Sequence, residues 1–442
     1  MPRQLALLIC ILLIFYLFWI DRKNAEDVSK AIWIPLVWMF LAGSRYVSQW
    51  LNLLGVPVTS ADVFLEGSPI DRSIFLILIL AGVIILVRRK LNWSDLITKN
   101  AWIWLFFIFG AISILWSDYP FVSFKRWIKA LGNVIMVLVI LTEERPYEAI
   151  GVILRRLAFL LLPLSVLFIK YYPDLGRAYH MGRPMFTGVA LQKNGLGQIC
   201  LLSGIYFSWN LLLTRREGIE LGRRLHFSIY LITLPMIAWL LYKANSATSL
   251  ACMVVAVGLF VVARQPAVNR EPRRILALGI ACIMLFGLLE LTFDMSGAVI
   301  SMLGRDPTLT TRVPMWKDLL AMAKNPIVGF GYESFWLGAR RLFMDEHWGI
   351  TTQAHNGYLE MYLNLGLIGL FFLLGWILSG LRKVASHLEI YYPGAMLRLC
   401  FIVVVVLYNW TEATFYGVSN MWMIFLLGVM YCPEQRKLAT TI

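Results

Sequence analysis

Residues 355–381 read HNGYLEMYLNLGLIGLFFLLGWILSGL. From position 357 onward this is a run of 25 residues whose one charged side chain is Glu360. Coiled as an α-helix it is about 37 Å long, more than the roughly 30 Å hydrocarbon core of a bilayer. The stretch reads as a membrane-spanning helix, with an imidazole and an amide at its mouth.

Twelve more runs of this kind surround it: 4–20, 31–51, 73–87, 101–116, 124–141, 152–169, 195–213, 227–241, 248–263, 275–293, 396–410 and 418–431. The fold class is therefore an all-α polytopic membrane protein of about 12–13 transmembrane helices, with twelve if the first run or a late one does not span. The composition agrees: 59% hydrophobic and 15% charged residues, with a mean hydropathy of +0.71, exclude an ordinary soluble domain. The first run lacks a small-x-small cleavage site before the charged segment 21–30 and reads as a retained helix.

Lys and Arg number 40 against 26 Asp and Glu. They are spread through the loops rather than gathered in one stripe, so the charge reads as topology and no nucleic-acid partner is expected. Alternate loops at 21–30, 88–99, 143–156, 215–224, 264–274, 382–387 and 433–437 carry most of it and mark the cytoplasmic side. The opposite loops, 55–72, 117–120, 170–194 and a long excursion at 294–356, face outward. The chain thus divides into three regions: an N-terminal transmembrane bundle at 1–293, a long outer loop region with short helices at 294–356, and C-terminal transmembrane helices at 357–442. The six cysteines lie in or beside apolar runs without CxxC spacing, which argues against disulfides or zinc.

Arginines nevertheless recur on the outer side: Arg177 and Arg183, with Lys193 beyond them, then Arg305 and Arg312. Guanidinium forks match phosphate oxygens, and their presence outside runs against the positive-inside bias. Something anionic is one explanation; pairing with Asp174, Asp294, Asp306 or lipid phosphates is the other. His355 stands apart from the remaining histidines because it immediately precedes a spanning helix. A neutral imidazole there could accept a hydroxyl proton, a step worth roughly 10² to 10⁴ in rate, or it could simply cap or pack. Glu360, one turn further on, is a candidate buried acid or a partner for a loop arginine. No GxSxG, HExxH or P-loop motif is present.

The segment LGRDPTLTTRVPMWKDLLAMAKNPIVGFGYESFW at 303–336, followed by AHNGYLEMYLNLGLIG at 354–369, carries a spaced pattern. It comprises Gly304, Arg305, Asp306, Thr308, Leu309, Thr310, Arg312 and Trp316; Pro326, Gly329 and Gly331; then His355, Asn356, Gly366 and Gly369. Weaker motifs are LWSDYPFVSFKRW at 115–127 and GVALQKNGLGQ at 188–198. Together these resemble the O-antigen ligase and O-antigen polymerase superfamily, nearest to the succinoglycan-type exopolysaccharide polymerases. Thr311 departs from the pattern, where a small glycine-like residue is expected.

The resemblance implies a GT-C-like, metal-independent, inverting glycosyltransferase without a cofactor, seated in the bacterial inner membrane with its site facing the periplasm. Its donor would be an oligosaccharide on undecaprenyl pyrophosphate. The acceptor would be another lipid-linked glycan for a polymerase, the first expectation, or lipid A-core for a ligase, the second. A chain-length regulator and a flippase are candidate partners. Arg312 and Arg305, with Arg183, Arg177 and Lys193, would hold the pyrophosphate. His355 would take the acceptor proton or orient that hydroxyl. Asn194, Asn356, Trp316 and Tyr332 complete the expected substrate contacts, with Trp336 and Trp348 as further stacking candidates. The rival class is a transporter of lipid-linked sugars, which internal repeats and broken helices would favour.

Overall fold

The computed structural model of the chain describes residues 1–22, 28–53, 67–180, 183–214, 226–271, 308–349 and 352–433, with single positions between 274 and 288. The side chains at 180, 183, 269, 270 and 308–311 lie outside this set, as do Asp62, Glu66, Glu290, Asp294, Arg305 and Asp306 altogether.

The first part of the chain forms α1 (Arg3–Arg22), α2 (Trp33–Gly43), α3 (Val47–Leu53), α4 (Pro69–Arg88), α5 (Trp93–Lys99), α6 (Ala101–Ser113), α7 (Pro120–Leu141) and α8 (Pro146–Tyr171). A short hairpin of β1 (Arg177–His180) and β2 (Arg183–Phe186) leads to α9 (Lys193–Trp209), α10 (Phe227–Ala244) and α11 (Ala247–Ala263). Then come α12 (Thr308–Ala321), α13 (Gly338–Trp348), α14 (Gly357–His387), α15 (Tyr392–Thr411) and α16 (Asn420–Val429). Proline opens α4, α7 and α8, where its missing N–H would have had no helical partner.

Among the described residues seven helices are long and apolar enough to cross a membrane, or nine if each of two bent pairs is one span. With the shorter apolar helices α11 and α16, and α7 with its cations Lys125, Arg126 and Lys129, every expected run is helical except 275–293. That run lies largely outside the described residues. The protein is an all-α multi-pass membrane protein, as its sequence implies.

Three features depart from the expected pattern. The run 31–51 is not one straight span: it bends by 61° between α2 and α3. Ser44 bonds back to Phe40 O, and Arg45 reaches out to the carbonyls of Leu175 and Val189. The segment 170–194, read as a loop, contains the hairpin, with Arg177 opposite Phe186. Third, α14 breaks at Gly366, whose φ of 64° and ψ of −161° are not helical. The loop 326–331 fills the break: Leu367 N donates to Pro326 O at 2.9 Å, Phe330 N to Leu363 O at 3.1 Å and Gly331 N to Asn364 O at 2.8 Å. Irregular backbone within a span is tolerable only when its polar groups find such partners. The proline-glycine motif at 326–331 and Gly366 are thus two halves of one joint.

One apolar core runs from Trp38, Phe107 and Phe159 through Phe207 to Trp376, Phe401 and Trp422, so helices before 293 and after 357 pack together. Leu8, Leu12 and Phe15 of α1 and Ile77, Leu80 and Val87 of α4 are exposed, which suits a lipid-facing rim. Charges within the bundle are paired: buried Asp21 holds Arg155 and Arg156, and Glu143 holds Arg89 and Ser29. A second, small core of Met315, Leu319, Phe335, Trp336, Met344 and Leu363 packs α12 and α13 over the N-terminal part of α14.

Candidate active site

Four elements meet at one end of the bundle. α15 ends at Thr411, and Asn409 fixes the turn beyond it, accepting from Thr414 N at 2.7 Å and donating to Thr414 Oγ1 at 2.9 Å. The turn presents Glu412, whose side chain is only 7% exposed. Gly357 lets the first turn of α14 lie against this corner, since a Cβ there would sit 2.1 Å from Asn409 Oδ1.

Asn356 caps α14, its side-chain oxygen accepting from the N–H groups of Tyr358 and Leu359, both at 3.0 Å. This is the favoured use of an asparagine at a helix start, so the oxygen of the amide expected to touch substrate is committed to the backbone. His355, one residue earlier, takes a left-handed conformation with φ 51°, an uncommon state that recurs at functional sites. Its Nδ1 faces Glu412 Oε2 at 3.5 Å, within ion-pair reach and without a hydrogen bond.

Glu412 gathers two more candidates. Arg312, on α12, donates to Thr411 O at 2.5 Å and places Nη2 3.6 Å from Glu412 Oε1. Asn194, in the first turn of α9, donates to the same oxygen at 2.7 Å. The carboxylate thus joins Arg312, His355 and Asn194, and it lines a cleft of about 1170 Å³, mouth included, with Gln198, Gln353 and Tyr416 among its walls. The acids weighed as partners for the outer arginines were Asp174, Asp294 and Asp306; for Arg312 the partner is Glu412. Sequence reading missed this residue, although it is the one acid in the short outer segment between the last two apolar runs.

A buried strut holds the His355 loop. Glu360, 2% exposed, accepts from Trp336 Nε1 at 2.6 Å and from Ala354 N at 3.0 Å, while Asn364 bonds it and also accepts from Phe335 N. Its partners are therefore an indole, a side-chain amide and a backbone N–H rather than a loop arginine. Trp316 Nε1 donates to Ala354 O at 2.8 Å and Trp348 Nε1 to Asp318 at 3.0 Å. Tyr332 is buried at 4% exposure. Tyr332 and Trp336 are buried and brace the site, while Trp316 and Trp348 are partly buried and use their indole N–H groups to hold it.

The weak motif at 115–127 anchors the same cap. Ser117 bonds Ser334 at 2.9 Å, Asp118 pairs with Arg340 at 2.6 Å and Arg126 donates to Glu333 O at 2.5 Å. Burial pushes the Glu333 carboxyl above its ordinary range, against the opposing pull of Arg126. Its Oε1 accepts from Gly417 N at 2.8 Å, tying the cap to the segment just beyond Glu412.

Arg177 and Lys193 do not join this group. Arg177 donates to Ile169 O at 2.9 Å and lies over the Phe186 ring, and Lys193 lines a separate cleft. Arg305 and the Arg183 side chain lie outside the described residues. Among the described residues no group of three or more His, Cys, Asp or Glu could hold a metal ion.

Residues 231–374 match the O-antigen ligase family. Over 365 residues, 77% of this chain and 79% of the relative, the chain is 28% identical to the exopolysaccharide production protein ExoQ of Rhizobium meliloti (strain 1021). The superfamily read from the spaced motifs is the one these comparisons find.

Proposed function

From a multi-pass membrane chain that carries an O-antigen ligase domain, we propose an inverting glycosyltransferase that polymerises undecaprenyl-pyrophosphate-linked repeat units at the periplasmic face of the inner membrane. The observation that carries the reading is the convergence of Arg312, His355 and Asn194 on Glu412 at the head of an outward cleft.

In this mechanism the acceptor hydroxyl attacks the anomeric carbon of the donor sugar. The bond from that carbon to the pyrophosphate oxygen breaks, and its electron pair leaves with the pyrophosphate. Arg312, held in direction by Thr411 O and Glu412, uses its remaining N–H donors on the phosphate oxygens as charge develops there. Glu412 faces Nδ1 of His355, which leaves Nε2 to receive the acceptor proton, the division of labour seen wherever a carboxylate orients a catalytic imidazole. A pyrophosphate leaves readily as an anion, so a second carboxylic acid of the glycosidase kind is not needed.

The relative ExoQ is named for exopolysaccharide production and the matching family for O-antigen ligation; the first suits a polymerase and the second a ligase. Broken helices, the mark expected of a transporter, do occur here, but in α14 the loop 326–331 takes up the freed backbone groups, so that feature does not favour transport. A deletion strain complemented with wild type, His355→Ala or Arg312→Ala, each checked for membrane level, separates the readings. Single lipid-linked units that only wild type extends support a polymerase. Long chains that persist on the carrier but fail to reach lipid A support a ligase. Full activity of both variants at normal levels would remove the proposed site.

A further inference from the structure

We propose that the cleft between the β1–β2 hairpin and the outer ends of α9 and α10 binds the phosphate of the lipid-linked acceptor, beside the reaction centre. The inference rests on the glycan-transfer reading above. The cleft, about 680 Å³ with its mouth, is lined by Phe186, Lys193, Tyr242, Lys243 and Asn245, among others. Lys243 Nζ lies 5.1 Å from the Phe186 ring, 5.5 Å from Tyr242 and 5.8 Å from Trp239. Lys170 Nζ lies 5.1 Å from the Trp239 ring, and the Arg177 guanidinium 5.4 Å from Phe186.

Lys243 and Lys193 thus share one cleft, with Arg177 over its Phe186 wall and Lys170 over the neighbouring Trp239, on the face that the proposed function sets outward, where Lys and Arg are normally sparse. Among the described residues none of the four has a carboxylate within 4.0 Å. Like charges so gathered repel one another unless an anion joins them, and the aromatic walls recover only a fraction of that cost. A phosphate held at the membrane surface supplies the anion.

The position of the cleft says which phosphate. Lys193 and Asn194 are consecutive in the first turn of α9, about 100° apart around the helix. Lys193 faces this cleft, and Asn194 faces Glu412 and the larger cleft. One helical turn is therefore the wall between them. A lipid-anchored acceptor whose phosphate rests on Lys243 and Lys193 has its glycan next to the reaction centre, while Arg312 holds the donor. Transfer between two lipid-borne substrates needs two such anchors.

The test is single-round transfer by the purified full chain in nanodiscs from one labelled lipid-linked donor. The acceptor is either a lipid-pyrophosphate-linked repeat unit or the same oligosaccharide free of lipid and phosphate. For Lys243→Ala the KM for the lipid-linked acceptor should rise roughly tenfold, the scale of one lost charge-assisted contact, with kcat and the donor KM held. The KM for the free oligosaccharide should match wild type, and Lys243→Arg should restore the lipid-linked value. Equal losses with both acceptors, an altered donor KM, or no change would overturn the proposal. So would a loss that vanishes in nanodiscs without anionic phospholipid, which would assign the cleft to bulk headgroups. If wild type transfers to neither acceptor, the proposed function itself falls, and this inference falls with it.

Discussion

Gly366→Ala strikes the joint on which the site depends. Glycine is the residue that tolerates φ 64° with ψ −161°, and a side chain forced into such a region costs about 1 to 3 kcal/mol. The new Cβ would also lie 2.2 Å from Ile327 O, 2.3 Å from Ile327 C and 2.6 Å from Val328 N. All three are backbone atoms, so the loop 326–331 must move away. That forfeits the bonds from Leu367 N to Pro326 O and from Ile368 N to Ile327 O, each worth about 0.5 to 1.5 kcal/mol. Together the loss comes to roughly 2 to 6 kcal/mol. The displaced loop carries Glu333 and Trp336 with it, and so loosens the strut under His355. Unfolding of the purified protein in detergent, followed by tryptophan fluorescence, should show a clearly lowered midpoint with little transfer remaining. Gly258→Ala is the matched control, because a Cβ there meets nothing within 4 Å. If Gly366→Ala unfolds within roughly 0.5 kcal/mol of wild type, as ordinary surface changes do, the break in α14 is not built as described.

Glu412→Gln keeps the shape of the hub and removes its charge; kcat for transfer should fall roughly 10- to 100-fold, the usual cost of losing an orienting partner, with Glu412→Asp intermediate. Steady-state kinetics would refute this if kcat were unchanged. Glu360→Ala strands the Trp336 indole and Ala354 N–H in the interior and should cost roughly 3 kcal/mol or more, read as a lowered unfolding midpoint. Burial raises the folded-state pKa of Glu333 above its ordinary 4.5, so folding favours the protonated form; stability from this group is present below about pH 4.5 and is lost as pH rises through the raised value. Glu333→Gln, which keeps an acceptor for Gly417 N, should flatten that part of the profile, and an unaltered profile would exclude Glu333 as its source.

The spans were legible because each is a local run long enough to cross a bilayer. The breaks in them were not: nothing local in 31–51 announces the bend at Ser44, which depends on Arg45 reaching carbonyls at Leu175 and Val189. Arg312 and His355 were legible as spaced motif residues, and the structure brings them to one carboxylate. That carboxylate was invisible because its partners come from α9, α12 and the approach to α14, all remote from it in the chain. Asn356 and Trp316 have structural bonds that their spacing did not announce: one caps a helix and the other holds Ala354 O. The glycine-rich motif encodes a backbone joint.

The most direct measurement is glycan transfer by the purified protein from an undecaprenyl-pyrophosphate-linked oligosaccharide, with Arg312→Ala, His355→Ala and the double variant beside wild type at matched thermal stability. Residues that act as one unit lose rate non-additively. The expected result is that each single variant abolishes most of the activity and the double variant is little worse than either. Independent, multiplying losses, or transfer at wild-type rate from either single variant, would contradict a site centred on Arg312, His355 and Glu412.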